Sequence, residues 1–131
     1  FGMQGDGVRH QFLDETGENP MLYSVTTIHG AEMYKGLDTI ALLDATADMH
    51  LEMEESKHLA HSKKFMKWGD RDVLFFDSFL KEENYSYPKR SMLLLRESDG
   101  VLFTISVLSA TRDQLDEKLQ DFASTLVLIR K

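Results

Sequence analysis

Two runs of residues, 91–97 and 101–109, flank Ser98-Asp99-Gly100. Three small or polar residues ending in glycine make a compact hairpin turn, so the runs are expected to pair as antiparallel neighbours. In the second run Val101, Phe103, Ile105 and Val107 form one apolar face, while Thr104 and Ser106 mark the other. A period of two belongs to a strand and scatters around a helix. The second half of the chain is thereby committed to a sheet, and the rest must pack around it.

Upstream, residues 61–68 can pair with residues 73–80 across a turn at Gly69-Asp70. In the later strand Val73, Phe75, Asp77 and Phe79 face one way, and Leu74, Phe76, Ser78 and Leu80 the other. Both faces are apolar at its start, which predicts a central strand covered on both sides. Residues 81–89 read as a polar loop carrying Tyr85, Tyr87 and Pro88. Residues 21–28, rich in β-branched and aromatic side chains, read as a further strand ended by His29-Gly30. Residues 1–20 hold Gly2, Gly5, Gly7, Gly17 and Asn19-Pro20 and no periodicity. They are expected to be a loosely ordered lead-in, with Phe12 and Leu13 pinned to the body. Residues 21–131 then form a single domain.

Two helices complete the reading. Residues 31–47 place Leu37, Ile40, Ala41 and Asp44 on one side, with Leu43 and Ala47 extending the stripe. This helix is expected to run on to about Glu54, although Ala47, Met49, Leu51 and Met53 also alternate as a strand would. Near the C-terminus Thr111 and Gln114 make a capping box, and Asp113 places negative charge where a helix dipole favours it. Leu115, Leu119, Phe122 and Leu126 then form one apolar stripe. Residues 126–129 read as the end of that helix or as a short final strand. The expected class is α+β: an antiparallel β-meander of four or more strands, with a helix in the N-terminal half and a C-terminal helix packed on the sheet. Both helices are expected on one face, leaving the other face or an edge for a partner.

The 131 residues suit one domain with a real core. Lys and Arg number 15 against 22 Asp and Glu, a formal charge of −7. That balance argues against a general nucleic-acid binder and against an anionic membrane surface. The absence of cysteine excludes a disulfide framework, a thiolate zinc site and a cysteine nucleophile. No stretch approaches the ~18 apolar residues of a membrane-spanning helix. Phe1 in first place leads to the expectation of a processed or trimmed chain.

His50, Glu54, His58 and His61 are the candidate metal ligands. On one continuous helix, spacings of four, four and three would stack them on a single face, and imidazole with carboxylate suits a divalent metal. The same residues read equally as exposed positions near a helix-to-strand junction. Lys57, Lys63, Lys64, Lys67 and Arg71 make a basic stretch beside Trp68, better read as a solvated strand whose lysines protect an edge. Asp44, Asp48, Glu52, Glu54 and Glu55 read as the wet face of a helix. Trp68, Tyr85 and Tyr87 are the candidate partner surface, because aromatic side chains anchor interfaces. There is no G-x-S-x-G elbow, dinucleotide fingerprint or P-loop.

The order of elements over residues 71–129 resembles the MOG1/PsbP-like fold, which the bacterial DcrB-like domains share. The stretch runs Val73-Leu74-Phe75-Phe76, then Ser91-Met92-Leu93-Leu94-Leu95, then Val101-Leu102-Phe103-Thr104-Ile105-Ser106-Val107, then residues 111–126. The resemblance implies a scaffold for binding, usually without catalysis, and small secreted or periplasmic domains among its members. The expected function is a non-catalytic binding or assembly domain contacting a protein partner, bacterial, with a periplasmic or secreted location favoured over a cytoplasmic one. No cofactor is expected, apart from the divalent metal of the histidine reading. The alternatives are a metal-binding protein using that His/Glu cluster, or a small-ligand carrier with a pocket between helix and sheet.

Overall fold

The computed structural model describes residues 7–15, 20–28, 38–69, 71–82, 84–96, 100–112 and 114–125. Along the chain run β1 (Gly7–Asp14), β2 (Met21–Ile28), α1 (Thr39–Met53), a 3-10 helix (Lys57–Ser62), β3 (Lys64–Trp68), β4 (Arg71–Glu82), β5 (Tyr85–Arg96), β6 (Val101–Ser109) and α2 (Leu115–Thr125). The strands form one six-stranded sheet in the order β1-β2-β6-β5-β4-β3, antiparallel at every pairing. The antiparallel sheet, the α+β class and the two helices match the sequence pattern.

The centre of the sheet explains where the helices go. Val73, Phe75, Met92, Leu94, Phe103 and Ile105 point to one face and pack with Leu115, Leu119 and Ala123 of α2. Leu74, Phe76, Leu93 and Leu102 point to the other face and pack with Leu42, Leu43, Ala47 and Leu51 of α1. The helices therefore lie on opposite faces, which corrects the expectation that one face carries both. Strands apolar on both sides leave two surfaces to remove from water. Each fully buried Leu or Phe contributes roughly 1.5–3 kcal/mol, so neither surface can be left bare.

Further differences have local causes. The segment expected as a loose lead-in contains β1, which pairs with β2 from Gly7↔Ile28 to Asp14↔Met21. Its polar residues suit an edge strand, whose outer side faces water. Phe12 meets Phe122 of α2 with ring centroids 6.0 Å apart, but Phe12 stays 53% and Leu13 61% exposed, so of the expected pinning only the Phe12 contact is made. Residues 81–89, expected as a loop, are mostly strand: β4 runs to Glu82, β5 begins at Tyr85, and Pro88 pairs with Phe79. The hairpin turn glycines Gly69 and Gly100 both take φ +68°, the left-handed region open to glycine. Ser98 and Asp99 lie outside the described residues.

α1 starts at Thr39, later than expected, with Asp38 as its extended N-cap: the Asp38 carboxylate accepts from the Ala41 N–H at 2.6 Å. Residues 31–37 lie outside the described residues. The buried face is Leu42, Leu43, Thr46, Ala47 and Leu51, while Ile40 is 40% exposed, so the stripe is rotated from the one expected. The expected capping box is not made. Gln114 takes φ +66° and α2 starts one residue later, which leaves Thr111 outside the helix. Residues 126–129 lie outside the described residues.

Candidate functional site

α1 covers only part of its face of the sheet. It lies over β4 and β5, and its C-terminal end stops short of the outer halves of β2 and β6. Between that end and the sheet is a groove of about 280 Å³. The pairing register builds its floor. Ser24 of β2 stands beside Ser106 of β6, and Thr26 beside Thr104. Four hydroxyls thus point the same way from two adjacent strands. The Ser24 and Ser106 hydroxyls share a hydrogen bond of 2.6 Å. Thr104 is only 8% exposed, and its Oγ1 has no hydrogen-bond partner among the described residues.

Leu22, Leu108, Leu80 and Met53 form apolar walls, and Gln11 reaches in from β1. At the rim Lys89 Nζ is ion-paired with Glu54 Oε2. The other oxygen, Glu54 Oε1, is buried and has no partner among the described residues. Glu54 is the C-cap of α1, so the helix end itself delivers this carboxylate to the sheet.

The four candidate metal ligands do not share a helix. α1 ends at Met53, Glu55 adopts φ +53°, and His58 and His61 fall in the following 3-10 helix. The 24° stack of His50 is on Phe76 and the 13° stack of His58 is on Phe79. The His61 ring bonds the His58 carbonyl at 3.1 Å through Nδ1. Among the described residues, no group of three His, Asp or Glu side chains converges as a metal site would require. His50 and Glu54 do come together, on the groove.

The aromatic candidates separate. Trp68 is half-buried and packs against the α2-face core. Tyr85 and Tyr87 stack on each other at 6.1 Å on β5. They are two and one pleats beyond Lys89, on the same face as the groove. Tyr85 is 65% exposed.

The basic and acidic runs meet each other. Lys63 reaches Asp44 at 2.8 Å and Asp48 at 2.6 Å, tying α1 to the residue before β3. Burial pulls the Lys63 ammonium down, but hydrogen bonds and charge from Asp44 and Asp48 outweigh it and hold it above the ordinary lysine value. Lys57 pairs with Glu52, Lys67 with Asp72 and Lys81 with Glu55.

The groove residues Ser24, Thr26, Lys89, Thr104 and Ser106 were not singled out by sequence reasoning. The signal was partial: Thr104 and Ser106 marked the second face of their strand. The β2–β6 pairing that completes the floor joins residues 82 apart in sequence.

These features define a class: a six-stranded antiparallel sheet between two single helices, with a hydroxyl-floored groove at the end of the first. No family model matches the sequence, and no curated protein matches it significantly. Among solved structures the chain is similar to PA94 of Pseudomonas aeruginosa, described as a protein of unknown function and candidate regulator. The match covers 95% of this chain and 83% of that one, with a TM-score of 0.62 and 14% identity. At that identity the likeness shows the fold alone.

Proposed function

We propose that this protein is a non-catalytic binding domain that contacts a protein partner through the Tyr85–Tyr87 end of its β4–β5 hairpin. The observation that carries the reading is the stacked pair Tyr85 and Tyr87, with Tyr85 standing 65% exposed at the end of the β4–β5 hairpin. Aromatic rings held rigid by each other lose little conformational entropy on binding and are frequent interface anchors. The resemblance to the MOG1/PsbP-like fold favours the same reading, with a bacterial and extracytoplasmic setting.

A photo-crosslinking residue placed at Tyr85, and separately at Glu52 on the exposed side of α1, tests the proposal in cells. The expected result is a discrete protein adduct at position 85 that disappears when Tyr87→Ala is added and is missing at position 52. Equal adducts at both positions, or none at 85, would overturn it.

A further inference from the structure

We infer that the groove between the C-terminal end of α1 and the sheet binds an uncharged polyhydroxylated small molecule of monosaccharide size. This goes beyond the protein-partner reading, because Tyr85 and Tyr87 do not line the groove.

The hydrogen-bonding groups set the chemistry. Glu54 Oε1 is buried and unpartnered among the described residues, while Oε2 is held by Lys89. A carboxylate oxygen only accepts, so whatever meets it must donate. Thr104 Oγ1 is likewise buried and unpartnered among the described residues, in a residue more than nine-tenths buried on the groove floor. A hydroxyl both donates and accepts. Ser24 and Ser106 bond each other at 2.6 Å, which leaves one hydroxyl hydrogen and several lone pairs for a ligand. A molecule that offers donors and acceptors on neighbouring atoms, as adjacent ring hydroxyls do, answers all of these groups together. Glu54 Oε1 and Thr104 Oγ1 are two of the buried polar atoms without a partner among the described residues, and both line this groove, where a ligand can satisfy them.

Charge and shape narrow the class. Glu54 and Lys89 neutralise each other, and His50 is the remaining titratable group on the lining. A charged ligand would have to break the ion pair to find its counter-charge. The walls, Leu22, Leu80, Leu108 and Met53, offer an apolar surface to the C–H face of a sugar ring. A volume of about 280 Å³ is just below the usual range of ligand pockets and suits a single ring.

The test is a titration of isotope-labelled protein followed by amide NMR. The panel holds glucose, galactose and mannose, the charged relatives glucuronate and glucosamine, and N-methylacetamide as a small amide. At least one uncharged sugar is expected to give saturable shifts centred on Ser24, Thr104 and Ser106. Thr104→Val keeps the shape, suits a strand and removes the hydroxyl. It is expected to weaken that sugar about tenfold while melting at or above the parent temperature, since it replaces an unpartnered polar group. The inference is overturned if no uncharged sugar shifts the groove amides, or if Thr104→Val binds as well as the parent. Tighter binding of glucuronate, glucosamine or N-methylacetamide overturns it too. Loss of the Tyr85 adduct leaves these readouts untouched, so the two proposals fail separately.

Discussion

The Ser56 side chain is fully buried where the 3-10 helix leaves α1. Its hydroxyl accepts from the Phe79 N–H at 3.1 Å and donates to the Glu54 carbonyl at 3.0 Å. Two residues earlier on β4, the Asp77 N–H donates to the Ser62 hydroxyl at 2.9 Å. β3 pairs with β4 only as far as Phe75, so beyond it these two serines take the place of a strand and satisfy the backbone edge. Ser56→Ala would leave a buried N–H unpaired and is expected to destabilise the fold by about 1–3 kcal/mol. Urea unfolding with an unchanged m-value checks this. Ser62→Ala, at a partly exposed site, is expected to lose less. Serine is an unremarkable residue in the sequence, and neither position was legible as a cap, because the bond each one makes is to a strand 15 or 23 residues on.

At the scale of elements, each helix serves its own face. Leu119 of α2 and Leu43 of α1 are both completely buried, in separate clusters on opposite sides of the sheet. Leu119→Ala and Leu43→Ala are each expected to cost about 2–5 kcal/mol. Sites with no shared partners add to within about 0.5 kcal/mol, so the double variant should lose close to the sum of the two. Chemical denaturation of the four proteins in the cycle measures it, and a large coupling would contradict the two-sided arrangement. α2 is held at its start by Arg90, which bonds Asp116 at 3.0 Å and Asp77 of β4 at 3.1 Å. The Leu115, Leu119 and Phe122 stripe was legible because its period of 3.6 is local. The register of the helix start was not: Gln114 takes a left-handed conformation, so Thr111 falls outside the helix.

For the whole molecule, the net charge of −7 is distributed so that most described lysines near the acidic helix find a carboxylate. Alkaline pH probes this arrangement. Lys63 lies above its ordinary value of 10.5, for the reasons given above. Tyr23 lies above 10.0 through burial and then through the charges of Asp14 and Asp121. A group whose pKa rises on folding contributes stability that is full below the unfolded value and lost as pH climbs through the folded one. Stability is therefore expected to hold to about pH 10 and to fall above it. Melting temperatures from pH 8 to pH 11 would show the decline. Tyr23→Phe and Lys63→Met should each make it shallower.

The sequence by itself determined the antiparallel strands of the second half, the C-terminal end of α1 and the apolar stripe of α2. Those features depend on side-chain period, turn glycines and neighbours a few residues away. It also determined that the start of β4 is covered on both faces, since its residues there are apolar on both sides, although the strand lies second from the edge of the sheet. Tertiary structure alone decided that β1 joins the sheet at an edge, that the helices take opposite faces, and that His58 and His61 part from His50 and Glu54. It alone assembled the groove, because Ser24 and Ser106 meet only through the pairing of β2 with β6. Contacts between residues far apart leave no local period to read, and their register is set by how the two cores close over the sheet.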